Sequence, residues 1–204
     1  MNGTFSPTFS FVFTPEWSFL QSATEGSPQD SGVSHVEIAE CMSRGIRNNN
    51  PLNIRRSGDR WDGARAEQTD PSFVQFETPA YGYRAAWKVL QSYYTRFCHR
   101  SQPFTVRSII SRWAPPTEND TEAYIMNVLK MSGIGGKEKL LPPSNVLSYG
   151  RLSRMVSAMT CIECGIPYRE VDTEAVAQGY KLAFPANREK LDEWLLEEDE
   201  YRYW

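Results

Sequence analysis

Apolar residues return at helical spacing through most of the chain beyond residue 78. Tyr83, Ala86, Trp87, Leu90 and Tyr94 share one face, with Thr78 as a cap and Pro79 in the first turn. Thr105 can cap a second helix containing Val106, Ile109, Ile110 and Trp113, which Pro115-Pro116 must end. Asn119 can cap a third, with Glu122 as capping-box acid ahead of Tyr124, Ile125, Val128 and Leu129, and Gly133 to Gly136 closes it. The pattern then predicts a fourth helix near Arg151 to Glu163, stopped by Gly165 and Pro167, and a fifth capped by Asp172 with Val176, Ala177 and Tyr180. Leu191, Trp194 and Leu195 mark a final acidic helix, and Val36 to Met42 makes a short one upstream. The chain has no internal repeat.

Between these helical patterns the grammar changes. Arg44 to Asn53 reads R-G-I-R-N-N-N-P-L-N, and three asparagines stopped by a proline fit neither helix nor strand. An ordered polar loop is the expectation, serving either as a network of Asx turns or as a grip on uncharged hydroxyl and acetamido groups. Ile54 to Phe76 follows as an apolar step, a Ser57-Gly58-Asp59 turn, Trp61-Asp62-Gly63 and the alternating Phe73-Val74-Gln75-Phe76, which predicts a hairpin. The expected class is α+β, mainly helical, with one small β-hairpin.

Composition divides this picture into parts. With 204 residues and 40% apolar content, the chain can bury one sizeable core. Residues 1–41 hold five acids and no Lys or Arg, whereas 42–112 hold twelve bases against five acids. We therefore expect 1–41 to be an N-terminal extension outside the core, with a domain over 42–187 and an acidic helix over 188–204. Met42 is a candidate native start; the competing reading of 1–41 is an arm that packs its phenylalanines and Trp17 on a partner. No secretory leader is recognisable, so synthesis in a reducing cytosol is the expectation. Cys161-x-x-Cys164 lies in a helical pattern without a second ligand pair, so buried thiols are expected, with no metal and no cofactor. No stretch approaches the ~20 apolar residues of a membrane span. Dispersed bases without a binding signature argue against nucleic acid as a partner.

The segments N-N-N-P-L-N-I-R, W-D-G, F-V-Q-F-E-T-P-A-Y-G-Y-R-A-A and R-W-A-P-P-T-E-N-D-T-E-A-Y resemble a family of phage and prophage virion-associated proteins. The order of asparagine loop, W-x-G hairpin, F-x-x-F and helix is more remotely similar to the glucosaminidases of glycoside hydrolase family 73, whose fold is lysozyme-like. That resemblance implies a lysozyme-like domain and a peptidoglycan-degrading glycosidase or lytic transglycosylase. It would act on glycan strands after release or within a virion, beside other virion proteins. The alternative is a virion structural or cell-wall-binding protein that keeps the scaffold without catalysis.

Glycoside cleavage needs a carboxylic acid to protonate the leaving oxygen. The candidates are Glu67 in the hairpin, Glu118 in the Thr117 to Thr121 loop and Glu40 at the end of the upstream helix, although the E-S-G-x-G-type sequence expected around such an acid is absent. Candidate sugar contacts are Asn48, Asn49, Asn50 and Asn53 in the loop, with the aromatic residues Trp61, Tyr81, Trp113 and Tyr124. If 1–41 is an extension, deletion to Met42 should leave the melting temperature nearly unchanged. A large fall would make the aromatic arm part of the core.

Overall fold

The computed structural model describes residues 42–201, with side chains to 196, and this region is mainly helical. A one-turn helix α1 (Arg44–Arg47) leads into the asparagine run. It is followed by α2 (Pro79–His99), α3 (Val106–Trp113), α4 (Thr121–Ser132), α5 (Tyr149–Cys164), α6 (Thr173–Ala183) and α7 (Arg188–Tyr201). The extension 1–41, with the expected helix Val36 to Met42, lies outside the described residues.

The helix boundaries follow from capping chemistry. The Thr105 hydroxyl accepts from the Ser108 backbone N–H while the Ser108 hydroxyl accepts from the Thr105 N–H, a reciprocal box that starts α3. Asp172 caps α6 by accepting from Ala175 N–H at 2.8 Å. Asp120, rather than Asn119, caps α4 through Ala123 N–H at 3.0 Å, because its carboxylate also suits the positive end of the helix. Asn119 instead donates to the Pro115 carbonyl. Gly133 and Gly165 end α4 and α5 in the left-handed region, at φ 67° and 65°.

The expected hairpin does not form as paired strands. Among the described residues, Ile54 to Phe76 contains two isolated antiparallel bridges, Arg55 with Phe73 and Ala64 with Phe76. Backbone bonds from Arg56 N–H to the Ser72 carbonyl, Val74 to Ile54, Arg65 to Gln75 and Glu77 to Gly63 join the two arms. Side chains supplement them: Gln75 Oε1 accepts from the backbone N–H groups of Thr69 and Asp70, while Gln68 accepts from Gln75 N–H. The segment is a polar clasp whose apolar residues Ile54, Val74 and Phe76 still point into the core.

The core is built on α2 and α6, with α3, α4 and α5 around it. Trp87 of α2 meets Tyr180 of α6 edge-on at 5.2 Å and donates its indole N–H to the Val176 carbonyl at 3.2 Å. Tyr149 of α5 joins Tyr180 to Trp194 of α7 in the same aromatic chain. Where Gly179 of α6 faces α2, an added Cβ would stand 2.5 Å from Tyr83 Cβ and 2.9 Å from the Ala80 carbonyl oxygen. Alanine ordinarily strengthens a helix over glycine by about 1 kcal/mol. At Gly179 overpacking, which costs about 1–3 kcal/mol, should reverse that sign. Gly179→Ala is expected to lower the thermal midpoint, and an unchanged or raised midpoint would show that the helices can move apart freely.

Candidate functional site

The asparagine run divides into two roles. Asn48 donates to Asp70 at 2.7 Å and accepts from Gln75. Asn49, at φ 50°, donates to the carbonyls of Phe76 and Glu77. Asn50 is fully buried, donates to the carbonyls of Ile54 and Val74, and accepts from Ile54 N–H. These three amides are consumed by the protein, so their geometry is that of ties rather than of sugar contacts; the backbone of 54–76 has too few ladder bonds without them.

Asp70 is the anchor of this clasp. It accepts two hydrogen bonds from the Arg44 guanidinium at 2.7 Å each, one from Asn48, and one each from the Ser72 and Phe73 backbone N–H groups. Burial works to raise its pKa, but Arg44, Asn48 and the two N–H groups outweigh that and hold the carboxyl well below the usual range.

Asn53 faces elsewhere. Its Nδ2 donates to Glu163 Oε2 at 3.0 Å, and Glu163 Oε1 accepts from Tyr124 OH at 2.9 Å and from Trp113 Nε1 at 3.2 Å. Four segments therefore converge on one carboxyl: the asparagine loop, the end of α3, the first turn of α4 and the last turn of α5. Burial pushes the Glu163 carboxyl up, while the Asn53, Tyr124 and Trp113 hydrogen bonds and the nearby Arg55 charge pull it back in part. Glu163 as a residue is nevertheless partly exposed. Arg55 also pairs with Glu118 at 3.5 Å, which brings a second carboxylate within one guanidinium of the first.

Asn53, Trp113, Tyr124 and Glu118 are thus gathered around a residue that sequence reasoning did not select. Glu163 sits inside the Cys161-x-x-Cys164 segment of an apolar helix, and its one local signal is an acid at a helix C-terminus, where the dipole disfavours it. The other candidates stand apart in their contacts. Glu67 is exposed, because it lies on the outward side of the clasp. Glu40 lies outside the described residues. Trp61 is half-buried against the core, and the Tyr81 ring covers Gly63, whose added Cβ would fall 2.0 Å from it. Cys161 and Cys164 are buried free thiols.

Asp70→Asn should keep the shape but remove the charge that Arg44 and two backbone donors address, at a cost of about 3 kcal/mol. Because the folded-state pKa is depressed, this stability is present above the unfolded value of about 4 and is lost as the pH falls below it. Denaturant titrations should therefore show the gap between parent and variant narrowing as the pH falls below about 4 and still partly open at about pH 2, closing only as the pH falls through the depressed folded-state value. A constant gap would assign the effect to shape.

No family model matches the chain. Over 101 residues, 48% of its length, it is 43% identical to Protein P5 of Pseudoalteromonas phage PM2. The aligned stretch spans 61% of that phage protein. Among the described residues no helix is long and apolar enough to cross a membrane.

Proposed function

We propose that the chain is a phage or prophage virion-associated protein on a lysozyme-like scaffold, and that it cleaves peptidoglycan glycan strands with Glu163 as general acid. The similarity to a phage PM2 protein supports the phage origin and the place in a virion. The observation that carries the catalytic part is the Glu163 centre itself: a carboxyl pushed up by burial, on a residue that is partly exposed as a whole, set among Asn53, Trp113 and Tyr124 with Glu118 and Arg55 alongside. A carboxyl that keeps its proton nearer neutrality can give it to a glycosidic oxygen as the C–O bond breaks. Glu118, paired with Arg55, supplies the negative charge that faces the developing oxocarbenium ion, and a water or a sugar hydroxyl completes the exchange. Other virion proteins are the proposed partners of the remaining surface.

A second reading, a non-catalytic virion scaffold, is favoured by one observation. Three donors already occupy the Glu163 oxygens, as they would around a purely architectural tie.

A zymogram on purified peptidoglycan separates the two. Glu163→Gln should lower lysis about 10²–10⁴-fold with its thermal midpoint nearly kept, whereas the exposed Glu67→Gln should lyse like the parent. Lysis by Glu163→Gln at the parent rate overturns the assignment of the acid. A parent protein that releases no fragments replaces the enzyme with the scaffold.

A further inference from the structure

The Asn53 amide is used on one side only. Its Nδ2 donates to Glu163 Oε2 at 3.0 Å and stands 3.4 Å from the Glu163 carbonyl oxygen, while its Oδ1 is buried and takes no hydrogen bond. A buried acceptor left in this state is costly, so its retention calls for a physical reason. The surroundings of Oδ1 are unusually close. A Cβ on Gly45 would stand 3.1 Å from it, 3.1 Å from the Asn50 carbonyl oxygen and 2.9 Å from Cys164 Sγ, so glycine at 45 is what leaves this space open. The Asn50 oxygen and the Cys164 sulfur offer lone pairs there. Asn53 itself is held at φ 49°, where asparagine and glycine are tolerated and most other side chains are strained.

We propose that Asn53 is the positioning residue of Glu163: its amide turns by a half-rotation when the carboxyl gains a proton, so that Oδ1 accepts from the protonated Oε2 and Nδ2 moves to the Gly45 side. The inference rests on the reading of Glu163 as the acid of the site. In the ionised state Nδ2 serves a carboxylate oxygen, and in the protonated state the same oxygen is a donor and needs an acceptor. Asn53 carries both, and the rotation exchanges them. Tyr124 OH and Trp113 N–H remain on Oε1 in either state, which fixes the proton on Oε2. The charged and titratable groups that face this carboxyl are Arg55 from the loop, Glu118 from the segment after α3, Tyr124 from α4 and Cys164 from α5. Both the Tyr124 hydroxyl and the Cys164 thiol are raised by burial, so they stay neutral where the Glu163 carboxyl changes charge.

The test is an NMR titration of the full chain, following the Glu163 carboxyl carbon and the Asn53 side-chain amide together. The amide protons should show contacts to Glu163 at high pH and to Gly45 and Cys164 at low pH, with one midpoint for both residues. Amide contacts that stay on Glu163 at both ends overturn the proposal. Asn53→Gly, which suits the backbone at φ 49°, gives a second reading. An amide that serves both states should leave the Glu163 midpoint within about 0.5 pH of the parent, whereas loss of a donor serving only the carboxylate should raise it by about 1 or more. A rise of the latter size also sinks the idea. Lysis by the parent reads the catalytic assignment separately: an amide that turns in a protein without lysis leaves the rotation standing and removes its catalytic use.

Discussion

The Asp70 carboxylate receives hydrogen bonds from Arg44, Asn48, Ser72 and Phe73, and through them α1 and the segment 54–76 become one body. This matters because that segment has no continuous strand pairing to stiffen it. A backbone with so little ladder must satisfy many of its N–H and C=O groups through side chains, and Asn49, Asn50, Gln68 and Gln75 do so, while Asn48 ties the Asp70 and Gln75 side chains together. Only with that clasp closed is Asn53 carried to the last turn of α5 and Ile54 to the core. The position of the candidate site is therefore set by a polar network some residues away from it.

The two halves of the chain divide the physical labour differently. From α2 onward, apolar faces and ring contacts hold the helices, with Trp87, Tyr149, Tyr180 and Trp194 in edge contacts about the α2–α6 crossing. Before α2, directional bonds take over, and the apolar contribution comes from a few inward residues such as Leu52, Ile54, Val74 and Phe76. Directional networks specify one geometry and tolerate substitution poorly, whereas packed apolar faces tolerate exchange of similar volumes.

The helices were legible because burial imposes a 3.6-residue period and caps have a narrow chemistry. Thr105, Pro79 and Asp172 stand where those rules place them, while the choice of Asp120 over Asn119 turned on one position of register. The expected hairpin is reduced to two antiparallel bridges, because the inward pointing of Val74 and Phe76 needs only a short pairing when glutamine and asparagine bonds supply the rest. At the candidate site, Asn53, Trp113, Tyr124 and Glu118 carried a signal as polar or aromatic residues at segment ends. Glu163 carried almost none, since its partners lie 39, 50 and 110 residues away and no local pattern encodes their meeting.

That separation has a consequence for how the chain acquires its structure. Asn53 meets Glu163 across 110 residues, and Cys164 donates to the Pro51 carbonyl across 113. During synthesis the asparagine loop emerges first, and its Asn53 end must wait without its partner until the ribosome has delivered the end of α5. The helices between can form early from contacts close in sequence, so closure of the loop on α5 belongs to the late, topologically costly part of folding. The same residues that gather the candidate site thus register whether the chain has been completed as far as the end of α5.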